Sequence, residues 1–205
     1  VAFLNSDIGI SKVKIGAIEN SSVMASKSYT DYSLTHKTEL QIGVTYPIEI
    51  HRTGKAINDL NRAVWIDLNR DGVFNDSTEK LAASGPDKKK VDTLQISVPL
   101  GLTGPTTMRV GVNIGSKANF GCGPNQFGEF EDYTVLITPD IEAPEIHFLL
   151  AKEVEGSTKI SIEQCSNWNR PNAYGFDDVD DSLGILKVIG KVDVEKVGKY
   201  KLLYQ

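Results

Sequence analysis

Met108-Arg109-Val110-Gly111-Val112-Asn113-Ile114 sets apolar side chains at every second position against Arg, Gly and Asn. Strict alternation places Met108, Val110, Val112 and Ile114 on one face of an extended chain and leaves the other face polar, which is the pattern of a half-buried strand. Working outward, Tyr46, Ile48 and Ile50 alternate with Pro47, Glu49 and His51, and Leu94, Ile96 and Val98 alternate with Thr93, Gln95 and Ser97. Further strands are predicted near residues 13–18, 64–67 and 133–137. Helical spacing is sustained nowhere, and a helical turn around 55–62 has too few apolar positions to make an element. Short strands separated by Gly, Pro, Asn and Asp clusters predict an all-β chain built around a jelly-roll-like antiparallel β-sandwich. The run Asp87-Lys88-Lys89-Lys90 reads as a solvated hairpin tip.

The strand pattern breaks at Thr138-Pro139-Asp140-Ile141-Glu142-Ala143-Pro144, where two prolines favour an extended connector. The expected organisation is therefore a sandwich over residues 1–138, a linker over 139–144 and a second domain over 145–205. In that domain, candidate strands at 159–162, 186–189 and 200–204 predict a small immunoglobulin-like sandwich that lacks its last strand.

Composition narrows the function classes. The 205 residues include 40% hydrophobic and 24% charged side chains, as in ordinary globular domains. With 22 Lys plus Arg against 27 Asp plus Glu the net charge is -5, so there is no basic field to bind nucleic acid or an anionic membrane. Apolar runs such as Phe148-Leu149-Leu150-Ala151 fall far short of the roughly 18 residues a spanning helix needs. Cys122 and Cys165 form no C-x-x-C pattern, which argues against zinc or thiol redox chemistry; two free thiols are expected, with an interdomain disulfide as the alternative. The absence of an initiator Met predicts a processed or excised fragment, and a monomer is expected.

The chemistry-bearing stretch is Val64-Trp65-Ile66-Asp67-Leu68-Asn69-Arg70-Asp71-Gly72-Val73-Phe74-Asn75-Asp76-Ser77-Thr78-Glu79. Calcium requires six to eight oxygens, and oxygen side chains at alternate positions converge when the chain coils around the ion with Gly at the sharp turn. Asp67, Asn69 and Asp71 supply those positions, Val73 adds a carbonyl, and Asp76 and Glu79 are further candidates. Thr78 stands where a helix-loop-helix calcium site carries its closing Glu, so a strand-framed loop is expected. The bland alternative is an ion-free turn rich in Asp and Asn.

A second acidic group lies in Gly128-Glu129-Phe130-Glu131-Asp132-Tyr133. Glu129 and Glu131 share strand parity with Tyr133, Val135 and Ile137. A core-facing Glu131 therefore needs an Arg, a backbone donor or a cation, with Arg109 and bound calcium as candidates. Glu129, Glu131 and Asp132 thus join the candidate metal ligands. The rival reading, a hydrolase using these three carboxylates, lacks the two separated elements that flank a sugar in glycosidases. His36, His51 and His147 are scattered, and no G-x-S-x-G or H-E-x-x-H pattern occurs.

Tyr29-Thr30-Asp31-Tyr32, the Val64 to Phe74 stretch, Met108-Arg109-Val110, Cys122-Gly123 and Gly128-Glu129-Phe130-Glu131-Asp132-Tyr133 occur in an order that resembles the GEVED domain of secreted bacterial proteins, over about residues 10–138. Phe130 replaces the Val of the signature. From about residue 143, Ala143-Pro144-Glu145-Ile146, Asp177-Asp178-Val179-Asp180-Asp181-Ser182-Leu183 and Val197-Gly198-Lys199-Tyr200 resemble a bacterial immunoglobulin-like domain. There Asp181 and Ser182 replace the usual Gly and Asp, so Asp177 and Asp180 mark only a possible second acidic turn. The resemblance implies an extracellular, noncatalytic β-sandwich and identifies no ligand. Taken with the calcium loop, the expected function is a noncatalytic, calcium-stabilised binding or adhesion module of a larger secreted or cell-surface bacterial protein. The expected partners are an extracellular protein or polysaccharide and other domains of the parent chain, with delivery of an attached peptidase or glycan-degrading enzyme to substrate as one role.

Overall fold

The computed structural model describes residues 8–23, 28–56, 58–114, 128–149, 159–177, 179 and 181–205. The chain forms two compact units, Val1–Asp140 and Ile141–Gln205. In the first unit the strands are β1 (Ile10–Ile15), β2 (Ile18–Ser21), β3 (Tyr29–Asp31), β4 (Lys37–Gln41), β5 (Thr45–Arg52), β6 (Leu60–Ile66), β7 (Lys80–Asp87), β8 (Val91–Ser97), β9 (Gly104–Asn113) and β10 (Gly128–Thr138). They make a four-stranded sheet, β2-β1-β5-β8, and a six-stranded sheet, β3-β10-β9-β6-β7, with β4 also on β10. No helix occurs among the described residues.

The alternating stretches become the facing layers of a sandwich. Ile48, Ile50, Leu94 and Ile96 from the first sheet share one core with Met108, Val110, Val112, Tyr133, Val135 and Ile137 from the second. Burying each such aliphatic side chain contributes roughly 1.5–3 kcal/mol, which is why the polar parity stays outside. Strand β6 breaks this rule: all seven of its residues are buried. Leu60, Val64 and Ile66 face the sandwich, while Ala63 and Trp65 pack with Phe74 and Phe130 in a separate cluster on the other side of the sheet. A strand covered on both faces reads as a continuous apolar run, so alternation marked only its end, near 64–67.

The large sheet is mixed, not purely antiparallel. β3 and β4 both run parallel to β10, Tyr29–Asp31 opposite Phe130–Asp132 and Lys37–Gln41 opposite Thr134–Thr138. Residues between them form a short bend in which Tyr32 N donates to Asp132 O at 2.8 Å and Thr134 N donates to His36 O at 3.2 Å, so the two pieces act as one interrupted edge. Side-chain alternation is identical in either direction. The Lys88 to Lys90 stretch is likewise no hairpin tip within one sheet, because it carries the chain from β7 in one sheet to β8 in the other.

In the second unit β11 (Glu145–Leu149), β12 (Asn172–Asp177) and β13 (Asp181–Ile185) form an antiparallel sheet, and β14 (Val188–Ile189) pairs with β15 (Leu203–Tyr204). Residues 159–162 form no strand, and the segments expected at 186–189 and 200–204 shorten to two residues each. An alternating sequence favours extended backbone, but a ladder also requires a neighbour to accept its hydrogen bonds.

Candidate functional site

The Asp67 to Glu79 loop leaves the end of β6 and returns into β7. Its first residue is anchored on β9: Asp67 N donates to Thr107 O at 2.9 Å, and the Thr106 hydroxyl donates to Asp67 O. The loop coils through left-handed backbone at Arg70 (φ 60°) and Gly72 (φ 76°). Asp67 and Glu79 are buried, at 6% and 2% exposure. Asp67 accepts from the backbone N–H of Asp71 (3.2 Å) and Gly72 (3.0 Å). Glu79 accepts from Leu68 (3.0 Å), Asn69 (3.3 Å) and Asn75 (2.8 Å). Asn69 and Asp71 are exposed, and the Asn69 amide donates to Asp71 at 2.8 Å. Val73 is exposed as well. Asp76 points elsewhere, accepting from Trp65 Nε1 at 2.8 Å and pairing with Lys80 at 3.4 Å.

The loop's apolar residue, Phe74, is 5% exposed and covers the outer face of the large sheet. It lies 4.0 Å from the Arg109 guanidinium carbon, with the Phe130 and Tyr29 rings at 5.3 and 5.5 Å. Arg109 Nε and Nη2 each donate to Asp132 at 2.7 Å, and the Tyr29 hydroxyl donates to Asp132 Oδ2 at 2.9 Å. This two-pronged ion pair between aromatic faces is the geometry a guanidinium favours. Burial, then the neighbouring Asp132 charge, pushes the Tyr29 hydroxyl up to about 12. Arg109 therefore serves Asp132, on the outer face, and not Glu131.

Glu129 and Glu131 face the sandwich interior and are fully buried. Glu129 Oε2 accepts from Ile10 N at 2.8 Å, tying β10 to β1 across the core. Glu131 Oε2 accepts from the Tyr133 hydroxyl at 2.6 Å. Burial holds the Glu131 carboxyl above its usual range. Phe130 and Asp132 take the opposite parity, so the signature divides its acids between two faces. The three carboxylates do not converge on one point, and no group of three or more His, Cys, Asp or Glu among the described residues stands in a metal-holding arrangement.

Sequence reading missed a second buried ion network. Arg62 is fully buried, donating from Nη1 to Asp87 at 2.9 Å and from Nη2 to Lys89 O at 2.6 Å, with Asp92 Oδ2 at 3.8 Å. Its parity with Leu60, Val64 and Ile66 was the available signal. In the second unit, Asp177 is buried and accepts from Val179 N at 3.0 Å, while Asp180 lies outside the described residues. Cys165 is exposed with a free thiol, and Cys122 also lies outside them. A cavity of about 750 Å³ in this unit is lined by Phe148, Ile160, Trp168, Tyr200 and Tyr204, among others.

Residues 61–136 match the model of the GEVED domain. The match runs from β6 through β10 and so spans the loop, Arg109 and the acidic signature; β1 to β5 precede it yet complete the same sandwich core. Residues 152–205 match the bacterial surface protein, Ig-like domain. The two matches follow in the order the sequence motifs implied, and both families are of accessory type. No curated protein matches the chain. No helix among the described residues is long and apolar enough to cross a membrane.

Proposed function

We propose that this chain is a noncatalytic, calcium-stabilised binding module of a secreted or cell-surface bacterial protein, in which the GEVED unit and the Ig-like unit display or position neighbouring domains. The observation that carries the calcium reading is the pair of buried carboxylates, Asp67 and Glu79, whose hydrogen bonds all come from backbone N–H groups. Asp67 Oδ1, Asp67 Oδ2 and Glu79 Oε2 each accept one such bond and keep a further lone pair, and the loop adds the Asn69 amide, the Asp71 carboxylate and the Val73 carbonyl, a hard-oxygen set suited to calcium. A bound ion would supply positive charge to a loop that already holds Phe74 against Arg109. Asp76 and Asp132 are committed to Trp65 and Arg109, so neither joins this ligand set.

The burial of Glu129 and Glu131 and the Arg109 pairing of Asp132 support a noncatalytic reading over a hydrolase, whose carboxylates must meet substrate in an open cleft. The test is thermal unfolding of the full chain with calcium and with chelator. A ligand that binds only the folded loop stabilises it by about 2.7 kcal/mol at a hundredfold excess over Kd, which shifts Tm by roughly 5–10 °C. Asp71→Ala should abolish most of that shift. An identical Tm in chelator sinks the calcium reading, and turnover of peptide, ester or glycoside substrates that Glu131→Gln abolishes without unfolding sinks the noncatalytic one. Binding to an extracellular protein or polysaccharide is the expected activity, and weak affinity suffices when a module is tethered to its neighbours.

A further inference from the structure

The cavity of about 750 Å³ in the second unit brings aromatic and cationic side chains together. Its wall carries the rings of Phe148, Trp168, Tyr200 and Tyr204 and the ammonium groups of Lys159 and Lys199, and no Asp or Glu among the described residues lines it. That charge is opposite to the chain's net -5. Three of the four rings are anchored. Phe148 on β11 meets Tyr204 on β15 edge to face at 4.9 Å, the Tyr204 hydroxyl donates to Pro171 O at 2.9 Å, and the Tyr200 hydroxyl donates to Lys196 O at 2.8 Å. Burial raises the Tyr204 hydroxyl above its usual range and the Arg170 charge opposes this, so a third cation acts on the same wall. Trp168 is half-buried, whereas Tyr200 and Lys199 are exposed, so the cavity opens to solvent at a cationic rim. A smaller depression that shares Tyr200 carries Glu163 and Asp193, and Asp193 pairs with Lys196 at 3.6 Å, so the acids of this region sit outside the larger cavity.

We propose that this cavity binds an acidic polysaccharide, a polymer of uronic acid sugars, with the aromatic rings stacking on sugar faces and Lys159 and Lys199 meeting sugar carboxylates. An aromatic ring is negative on its face, and the C–H groups on one side of a pyranose are positive, so the two meet flat on. Ammonium-to-carboxylate hydrogen bonds add charge-assisted recognition. The volume falls within the roughly 300–1,000 Å³ of sites that combine apolar walls with a few placed polar groups. A peptide that adds as a strand needs a sheet edge, and the lining residues within 159–162 and 198–202 belong to no strand, which favours the sugar polymer. The inference rests on the reading of the chain as a binding module and names the ligand class and its site; it does not depend on calcium in the Asp67 to Glu79 loop.

Isothermal titration of the full chain with oligogalacturonate and with its methyl ester tests this, since esterification removes the carboxylate charge and keeps the sugar rings. Titration in chelator excludes binding through calcium bridges. Wild type should bind the acid form about tenfold or more tighter than the ester, and Trp168→Ala and Lys199→Glu should each weaken that binding by about tenfold or more. Lys199 is exposed, so Lys199→Glu decides should Trp168→Ala not fold. Equal affinity for acid and ester overturns the acidic class. Unchanged affinity in Lys199→Glu, or in a folded Trp168→Ala, overturns the site. If oligogalacturonate does not bind while xylan or collagen does, this inference fails and the binding-module reading stands; if none of the three binds, both fail.

Discussion

Arg109 shows what one guanidinium contributes that an ammonium cannot. It donates twice to Asp132 while its flat face lies on Phe74, so the same side chain ties the loop to the sheet and neutralises an acid of the signature. Arg109→Lys keeps the charge but loses the fork and the stacking, and should lower stability by about 1–2 kcal/mol in urea unfolding; an unchanged midpoint means the fork does not hold the loop. Asp92 makes a pH-dependent contribution. Burial pulls its carboxyl up, but hydrogen bonds from Lys89 and Ser84 and the charges of Arg62 and Lys89 outweigh this and hold it below the usual range. A carboxyl depressed in the folded state binds fewer protons than in the unfolded chain, so its stabilisation is present above about pH 4 and is lost as pH falls through the lower folded value. Asp92→Asn should cost about 1–3 kcal/mol at neutral pH, and its stability should fall less steeply than wild type between about pH 4 and pH 2.

Two glycines distinguish the mechanical demands of neighbouring elements. Gly72, in the coiled loop, needs positive φ, yet a Cβ there would meet nothing within 4 Å. Gly85, in β7, also has positive φ (95°), and a Cβ would fall 2.4 Å from Leu60 O and 2.9 Å from Asn61 Cα. Gly72→Ala therefore carries backbone strain alone, about 1 kcal/mol, whereas Gly85→Ala must also push β7 off β6 and should cost about 2–4 kcal/mol. Comparing the two urea midpoints tests this; equal effects would mean that the β6–β7 contact yields easily. Strand β10 is the central structural element of the first unit. It pairs with β9, β3 and β4, and its alternate side chains send Glu129 and Glu131 into the core and Phe130 and Asp132 beneath the loop.

Two units joined by an exposed connector should separate under a protease. Ile141 is 86% exposed and Glu142 to Glu145 are exposed as well, whereas in the sandwich Glu79, Glu129 and Glu131 are buried and the exposed Glu19 and Glu39 are held in the paired strands β2 and β4. A Glu-specific protease should therefore cut first after Glu142 or Glu145, leaving a fragment that retains cooperative unfolding and the calcium response of the intact chain. Early cleavage inside the sandwich would mean that this core is open. The alternation of Met108 to Ile114, Tyr46 to Ile50 and Leu94 to Val98 was enough to name the strands, their inward faces and an all-β sandwich, because a period of two is a local property that each segment carries alone. The same parity told that Glu131 turns inward, and the order of Asp, Asn and Gly from Asp67 marked the loop. Strand direction, partners and the destination of each acid were not legible. Ile10 meets Glu129 from 119 positions away, Tyr29 meets Asp132 from 103, and Arg109 chose Asp132 over Glu131 because pleat parity sets the two acids on opposite faces of β10. Such choices are made between segments remote in sequence, by whichever pairing buries the apolar faces and leaves the fewest polar groups without partners, and only the folded chain brings those segments together.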